Sequence, residues 1–220
     1  MAVLACAPAA QAQNSEAPAL RTHHVTVSGG IMWSGGYSIG DATARLRTNA
    51  AGSPPPFTLF TTASAVEAAT GVEGRVGFAL TSRIAVEAGA SYSTPAIGVT
   101  ISQDAEGASQ ALDGEHIEQF VLDVGVRWHL PVRPGPRMRL FAGGGAAYLR
   151  QLHEARTLVE TGQIYYADGG ITYWLRGVAG RSRALGLRGE VRANWRRQGI
   201  DFENLTRVYP SIAAAMFIGL

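Results

Sequence analysis

Apolar and polar residues alternate along most of this chain, in segments of about 10 to 14 residues, and helical periodicity is scarce. In the first segment, 24–36, Val25, Val27, Ile31 and Trp33 share a face. The second, 65–80, sets Val72, Val76, Phe78 and Leu80 against Glu73 and Arg75. The third, 84–93, sets Ile84, Val86, Ala88, Ala90 and Tyr92 against Glu87. In the fourth, 119–130, Phe120, Leu122, Val124, Val126, Trp128 and Leu130 oppose Asp123, Arg127 and His129. The seventh, 185–196, is the most regular: Leu185, Leu187, Val191, Ala193 and Trp195 alternate with Arg188, Glu190, Arg192, Asn194 and Arg196. The eighth, 209–220, aligns Ile212, Ala214, Met216, Ile218 and Leu220. Segments five (138–149) and six (165–175) leave their phase open, because Gly143-Gly144-Gly145 interrupts one and both faces of the other carry aromatics.

A period of two describes any antiparallel sheet with two unlike faces. Two features favour a sheet that meets lipid. Charges of both signs sit in the middle of strands, where a barrel lumen would pair them. The connections also alternate in length. Short links follow segments two (81–83), four (131–137) and six (176–184). Longer polar links follow segments one (37–64), three (94–118), five (150–164) and seven (197–207). Short inner turns and long outer loops are the rhythm of an outer-membrane barrel. No run of 18 apolar residues offers a spanning helix.

The predicted fold is therefore all-β: an antiparallel up-and-down transmembrane β-barrel of eight strands over 24–220. Aromatics support the polarity. With segment one rising outward, Trp33, Tyr92, Tyr148 and Trp195 fall at outer strand ends, and Phe78, Trp128 and Tyr173 near inner ends, as two interfacial belts. An eight-stranded lumen is just wide enough for side chains to fill. Glu73, Arg75, Glu87, Asp123, Arg127, Arg188, Glu190 and Arg192 are expected to form an ion-pair network there. A turn centred on Ser82 places Gly77 opposite Glu87, so that Arg75 reaches Glu87 diagonally. Phe57–Thr62 and Ile97–Ser102 are read as extracellular extensions of segments two and three, which keeps the strand count even.

Composition narrows the function. Of 220 residues, 46% are hydrophobic and 16% charged, against about 25% charged in soluble domains. Glycine, at 27 residues, exceeds the usual roughly 7%. All 19 basic residues are arginine, which excludes a P-loop lysine, a Schiff-base lysine and a Ser-x-x-Lys pair. A net charge of +2 gives no footprint for nucleic acid, and a mean hydropathy of +0.05 argues against disorder.

Residues 1–12 read as a signal-peptide remnant: Ala2 to Ala9 is a short apolar run and Ala10-Gln11-Ala12 a small-x-small cleavage site. The missing positive n-region predicts a start upstream of Met1. Cleavage after Ala12 would remove Cys6, the single cysteine, and with it any disulfide. The rival reading, Val3-Leu4-Ala5-Cys6 as a lipoprotein box, fits poorly at its leucine and its short lead. Residues 13–23 read as a flexible leader.

The turn Thr81-Ser82-Arg83, the strand from Phe141 to Tyr148 and the closing strand from Tyr209 to Leu220 together resemble the small bacterial outer-membrane β-barrels, of the eight-stranded OmpA-transmembrane-domain and opacity-protein type. The resemblance covers about Thr22 to Leu220 and rests on pattern. It implies residence in the bacterial outer membrane, with outer-membrane lipid and lipopolysaccharide as surroundings and the barrel-insertion machinery as a partner in biogenesis. Family barrels end on an aromatic residue that this machinery reads. Here the last residue is Leu220, with Phe217 nearby.

Candidate chemistry is sparse. Gly143-Gly144-Gly145 lacks the lysine and helix of a phosphate loop and reads as a close strand contact. His23 and His24 lack a third ligand and point to opposite faces, so no metal or cofactor is expected. Rim residues suited to hydrolysis are Asp113, Glu115, His116, His153, Glu154, Asp201 and Glu203. Arg45, Arg47, Arg150 and Arg156 could hold lipopolysaccharide phosphates. The expectation is a monomeric, non-catalytic envelope barrel with a filled lumen, in envelope structure or surface interaction, with at most narrow permeation. The alternatives are a barrel hydrolase of lipid or peptide and a soluble lipocalin-like ligand carrier.

Overall fold

The computed structural model describes residues 24–47, 55–104, 110–112, 114–132, 134–153, 157–177, 184–201 and 205–220. The signal remnant 1–12, the leader 13–23 and the candidates Asp113, Glu154, Arg156 and Glu203 lie outside the described residues.

Strands follow one another as β1 (Val25–Ser34), β2 (Tyr37–Leu46), β3 (Phe57–Val66), β4 (Ala69–Ala79), β5 (Ile84–Ser93), β6 (Ile97–Ser102), β7 (Gln110–Leu112), β8 (Glu118–His129), β9 (Met138–His153), β10 (Leu158–Arg176), β11 (Leu185–Gln198) and β12 (Arg207–Gly219). Eight of them close a barrel in the order β1-β12-β11-β10-β9-β8-β5-β4. β1 pairs antiparallel with β12 on one side and with β4 on the other, which completes the ring. Closure leaves no unpaired edge, the condition for a sheet to cross hydrocarbon. The eight-stranded, antiparallel expectation holds.

The short turns lie at one end of the barrel, together with the strand termini, where the Leu220 amide donates to the Val25 carbonyl at 2.8 Å. This is the inner end in the orientation that places short turns in the periplasm. The Thr81 hydroxyl accepts from the amides of Arg83 at 3.2 Å and Ile84 at 2.9 Å, folding the tightest of these turns. That turn sets Gly77 opposite Glu87, as the sequence predicts.

The outer end differs from the sequence reading in one respect. Phe57–Thr62 and Ile97–Ser102 are extracellular strands, but β3 and β6 join β2 and β7 in a second four-stranded sheet, β2-β3-β6-β7. The first long link is therefore largely strand, and barrel strand β4 begins at Ala69 rather than near Ala65. Alternation in β2 is short, with Tyr37 and Ile39 inward, and small polar residues follow. At the base of this sheet Tyr37, Ile39, Val66, Ile117, Ile200 and Tyr209 pack as a buried apolar cluster over the outer mouth.

The faces are inverted relative to a soluble protein. Mid-strand Ile31 is 68% exposed and Leu122 59%, while inward Arg75 and Arg188 are each 6% exposed and Glu190 3%. A soluble monomer rarely exposes so continuous an apolar band. A barrel in lipid requires one.

Candidate functional site

The lumen holds the chain's ionic chemistry, and strand register puts it there. β4, β5, β8 and β11 each turn their charged face inward. Arg75 donates to Glu73 on its own strand, at 3.2 Å from Nη2, and to Asp123 on β8 at 2.8 Å. Asp123 also accepts from the Tyr166 hydroxyl at 3.1 Å. Glu87 accepts from Arg188 at 3.0 Å and from Arg127. Glu190 accepts from Arg188 and, at 2.7 Å, from Arg192. All eight residues expected in the lumen thus lie in two groups of ion pairs, Glu73–Arg75–Asp123 and Arg127–Glu87–Arg188–Glu190–Arg192, with Tyr166 between them. One expected contact is corrected. Arg75 hydrogen-bonds to Glu73 and Asp123 rather than to Glu87, because Arg127 and Arg188 occupy Glu87.

The lumen also contains residues that the two ambiguous segments concealed. Arg139 and Phe141 point inward from β9, and Tyr166, Asp168, Thr172 and Trp174 from β10. Phe141 is a flat surface for two cations: the guanidinium carbons of Arg127 and Arg188 stand 4.4 and 5.0 Å from its centroid. Arg192 covers the Tyr166 ring at 3.9 Å. Each contact adds cation–π attraction in a desolvated place. The glycines make room for these rings. A Cβ on Gly145 would lie 2.7 Å from the Tyr166 hydroxyl and also meet the Val124 carbonyl, and one on Gly143 would lie 2.6 Å from Asp168 Oδ1.

Above this network the outer mouth is stoppered. Arg196, 1% exposed, donates to Gln151 at 3.1 Å and to the Ile200 carbonyl at 2.9 Å, and stacks 4.7 Å from the Tyr37 centroid. Tyr37 and Tyr209 meet ring to ring at 5.0 Å. Burial raises the Tyr37 hydroxyl above the usual tyrosine pKa, against the opposing pull of Arg196. Toward the inner end of the network lies a cavity of about 80 Å³, walled in part by Arg75, Glu87, Arg127, Arg139, Thr172 and Arg188.

On the outside, the outer-belt aromatics Trp33, Tyr92, Tyr148 and Trp195 and the inner-end Phe78 and Trp128 all face outward and are exposed, and Tyr173 is partly so. Phe120 and Tyr165 extend the outer belt, Phe120 with its ring 4.9 Å from Tyr92.

Among the described residues, the rim candidates for hydrolysis do not come together as a reacting set. Asp201 is held bidentately by Arg207 at 2.9 and 3.1 Å. His153 stands 3.9 Å from Glu160, beyond a hydrogen bond. His116 is exposed in an isolated bridge with Ala96, next to Glu115. Among the described residues no group of three or more His, Cys, Asp or Glu side chains is placed to hold a metal. Of the arginines considered for lipopolysaccharide, Arg150 lies two residues beyond Tyr148 on β9, whereas Arg45 and Arg47 lie at the tip of the β2–β3 hairpin. Arg197, which sequence reasoning missed, stands outward two residues beyond Trp195 on β11.

No protein-family model and no curated protein matches the sequence. Solved structures do. Neisserial surface protein A superposes with a TM-score of 0.50 at 8% identity, over 89% of this chain and 96% of that one. The outer-membrane protein OprG of Pseudomonas aeruginosa superposes with a TM-score of 0.46 at 12% identity, over 90% and 94%. The attachment invasion locus protein Ail of Yersinia pestis gives 0.45 at 8%, over 90% and 99%. At such identities the likeness concerns the fold. Closed ring, apolar girdle and ionic lumen agree with it: the chain folds as an eight-stranded bacterial outer-membrane β-barrel.

Proposed function

We propose that this protein is a non-catalytic, non-conducting envelope barrel that holds its extracellular sheet above the outer leaflet as a surface for interaction. The observation that carries the reading is the double closure of the lumen. Two groups of ion pairs, Glu73–Arg75–Asp123 and Arg127–Glu87–Arg188–Glu190–Arg192, occupy the middle, and the apolar cluster of Tyr37, Ile39, Val66, Ile117, Ile200 and Tyr209 covers the outer mouth. Ions would have to break buried pairs and cross a dry cap, so passive flow has no path. The carboxylate nearest to a catalytic role, Asp201, is neutralised by Arg207, which favours a structural assignment for the rim.

The lateral partner in this reading is lipopolysaccharide. Arg150 and Arg197 stand outward on strands separated only by β10, just above Tyr148 and Trp195. Two strand spacings and a two-residue stagger along β10 put their Cα atoms roughly 12 Å apart at the headgroup level, and guanidinium forks bind phosphate oxygens in pairs.

Planar-bilayer recording tests the closed lumen: the reading expects a silent membrane after insertion, and steady large conductance would refute it. For the partner, lipopolysaccharide is titrated into protein in phosphatidylcholine vesicles. Replacing Arg150 and Arg197 together by glutamine is expected to weaken binding several-fold. An unchanged affinity would remove lipopolysaccharide from the proposal. Cleavage of lipid or peptide by the wild type, abolished by His153→Ala or Asp201→Asn, would replace it with the hydrolase reading.

A further inference from the structure

The inner rim carries side-chain charge of one sign. The three short links at this end, 81–83, 131–137 and 176–184, hold six arginines and no aspartate or glutamate. Among the described residues, every side-chain carboxylate outside the lumen lies at the outer end, from Asp41 and Glu67 to Glu160 and Asp201. Of the six arginines, Arg83, Arg137 and Arg176 are described, and all three are exposed. Unlike the arginines of the lumen, none of them has an ion-pair partner among the described residues.

Strand order gathers these three. The Arg83 carbonyl accepts from the His129 amide at 2.7 Å, which holds the turn after β4 against the end of β8. The Arg137 carbonyl accepts from the Trp174 amide at 2.9 Å, so Arg137 lies beside β10, and Arg176 follows two residues further along. The three therefore trace one arc of the rim across β5, β8, β9 and β10, which are successive in the ring. Register also sets which way Arg176 faces. An irregularity between Trp174 and Arg176 pairs Arg176 with Leu185, which in turn pairs with the outward, 49% exposed Ile218. Arg176 thus stands on the lipid-facing side of the barrel, next to exposed Leu175.

An arginine at the border of an apolar girdle lays its stem along hydrocarbon and its fork among the headgroups. There the fork meets phosphodiesters, whose oxygens accept its hydrogen bonds in pairs. Arg83 precedes Ile84, Arg137 precedes Met138, and Arg176 ends β10. Charges placed so close to strand ends stay within a Debye length of the membrane surface, ~10 Å at 0.1 M salt, where a basic cluster gathers anionic lipid. We infer that the arc of Arg83, Arg137 and Arg176 is a docking surface for anionic phospholipid headgroups in the leaflet at the inner end. The acyl chains lie along the exposed Leu80, Ile84 and Leu175. This surface is at the opposite end of the barrel from the one proposed for lipopolysaccharide.

Tryptophan quenching of the full chain in phosphatidylcholine vesicles tests the arc. Trp128 is 50% exposed and pairs with Ile84, so it reports lipid beside Arg83. Trp33→Phe with Trp195→Phe removes the outer-belt reporters, and each protein used must first show the heat-modifiable gel shift of a closed barrel. Brominated phosphatidylglycerol is expected to quench at least twice as strongly as brominated phosphatidylcholine at the same low mole fraction. Replacing Arg83, Arg137 and Arg176 together by glutamine is expected to erase that excess. With the reporters exchanged (Trp128→Phe, Trp33 and Trp195 kept), the same triple replacement is expected to change nothing. Equal quenching by the two lipids, an excess that survives the triple replacement, or an equal change at both ends would overturn the inference. Co-sedimentation with purified peptidoglycan that needs the three arginines, without any lipid preference, would also overturn it and give the arc to the cell-wall polymer. The closed-lumen reading would stand in each case, since conductance judges it.

Discussion

Arg75→Met separates a dry ionic plug from a water-filled pore. Arg75 is 6% exposed and serves two carboxylates, Glu73 at 3.2 Å and Asp123 at 2.8 Å. Methionine retains much of the stem and deletes the fork. Asp123 then keeps the Tyr166 hydroxyl at 3.1 Å, but Glu73 loses its one ion pair among the described residues. Breaking a buried pair from one side costs about 3–5 kcal/mol, mostly through the charge left behind. In a hydrated pore the same pair would be screened, and its loss would cost about 0–1 kcal/mol. The two pictures differ by several kcal/mol, well outside extrapolation error in urea titrations.

The decisive comparison adds a triple variant, Arg75→Met with Glu73→Gln and Asp123→Asn, which removes all three charges together. A dry plug predicts that the triple variant recovers at least half of what the single one loses, because no bare charge remains buried. Urea unfolding in lipid vesicles, followed by tryptophan fluorescence and by the heat-modifiable band, measures both. A single-variant loss under about 1 kcal/mol, with the triple variant no better, would show that the lumen is wet and that the closed-barrel reading lacks its foundation.

Three other perturbations probe the girdle, the close strand contact and the cap. Ile31→Arg puts a charge on the lipid face and is expected to cost about 2–4 kcal/mol in the same unfolding assay; near-zero cost would mean that this face meets water. Gly145→Val should abolish the folded band, and adding Tyr166→Phe should not restore it, since the Val124 carbonyl still blocks the new Cβ; full recovery would trace the whole restriction to the hydroxyl. Tyr37, its pKa raised by burial, should ionise later than the exposed tyrosines in an absorbance titration compared with Tyr37→Phe. The sign follows from linkage: the cap's contribution is complete below the usual tyrosine value near 10 and is lost as pH rises past the folded one. A Tyr37 component that titrates with the exposed rings would contradict a sealed mouth.

The outward half of this fold was legible because a single rule governs it. Any residue two positions from a lipid-facing one also faces lipid, so Leu187, Val191 and Trp195 on β11 locate Arg188, Glu190 and Arg192 without further information. The turn at Ser82 fixed the Gly77–Glu87 register for the same reason. Pairing inside the lumen obeys no such rule. Glu87 meets Arg188 from β11, 101 residues away in sequence, because the ring is narrow enough for long side chains to cross it. Once Arg188 and Arg127 hold Glu87, Arg75 is left to Glu73 and Asp123, and neighbouring-strand reasoning alone could not choose between these carboxylates. Segments five and six were unreadable singly and become readable as a pair. Gly143 lies opposite Asp168 and Gly145 opposite Tyr166, so the absence of side chains on one strand is the space for large ones on the next. That complementarity decides the phase of both strands, and with it the inward placement of Arg139 and Thr172.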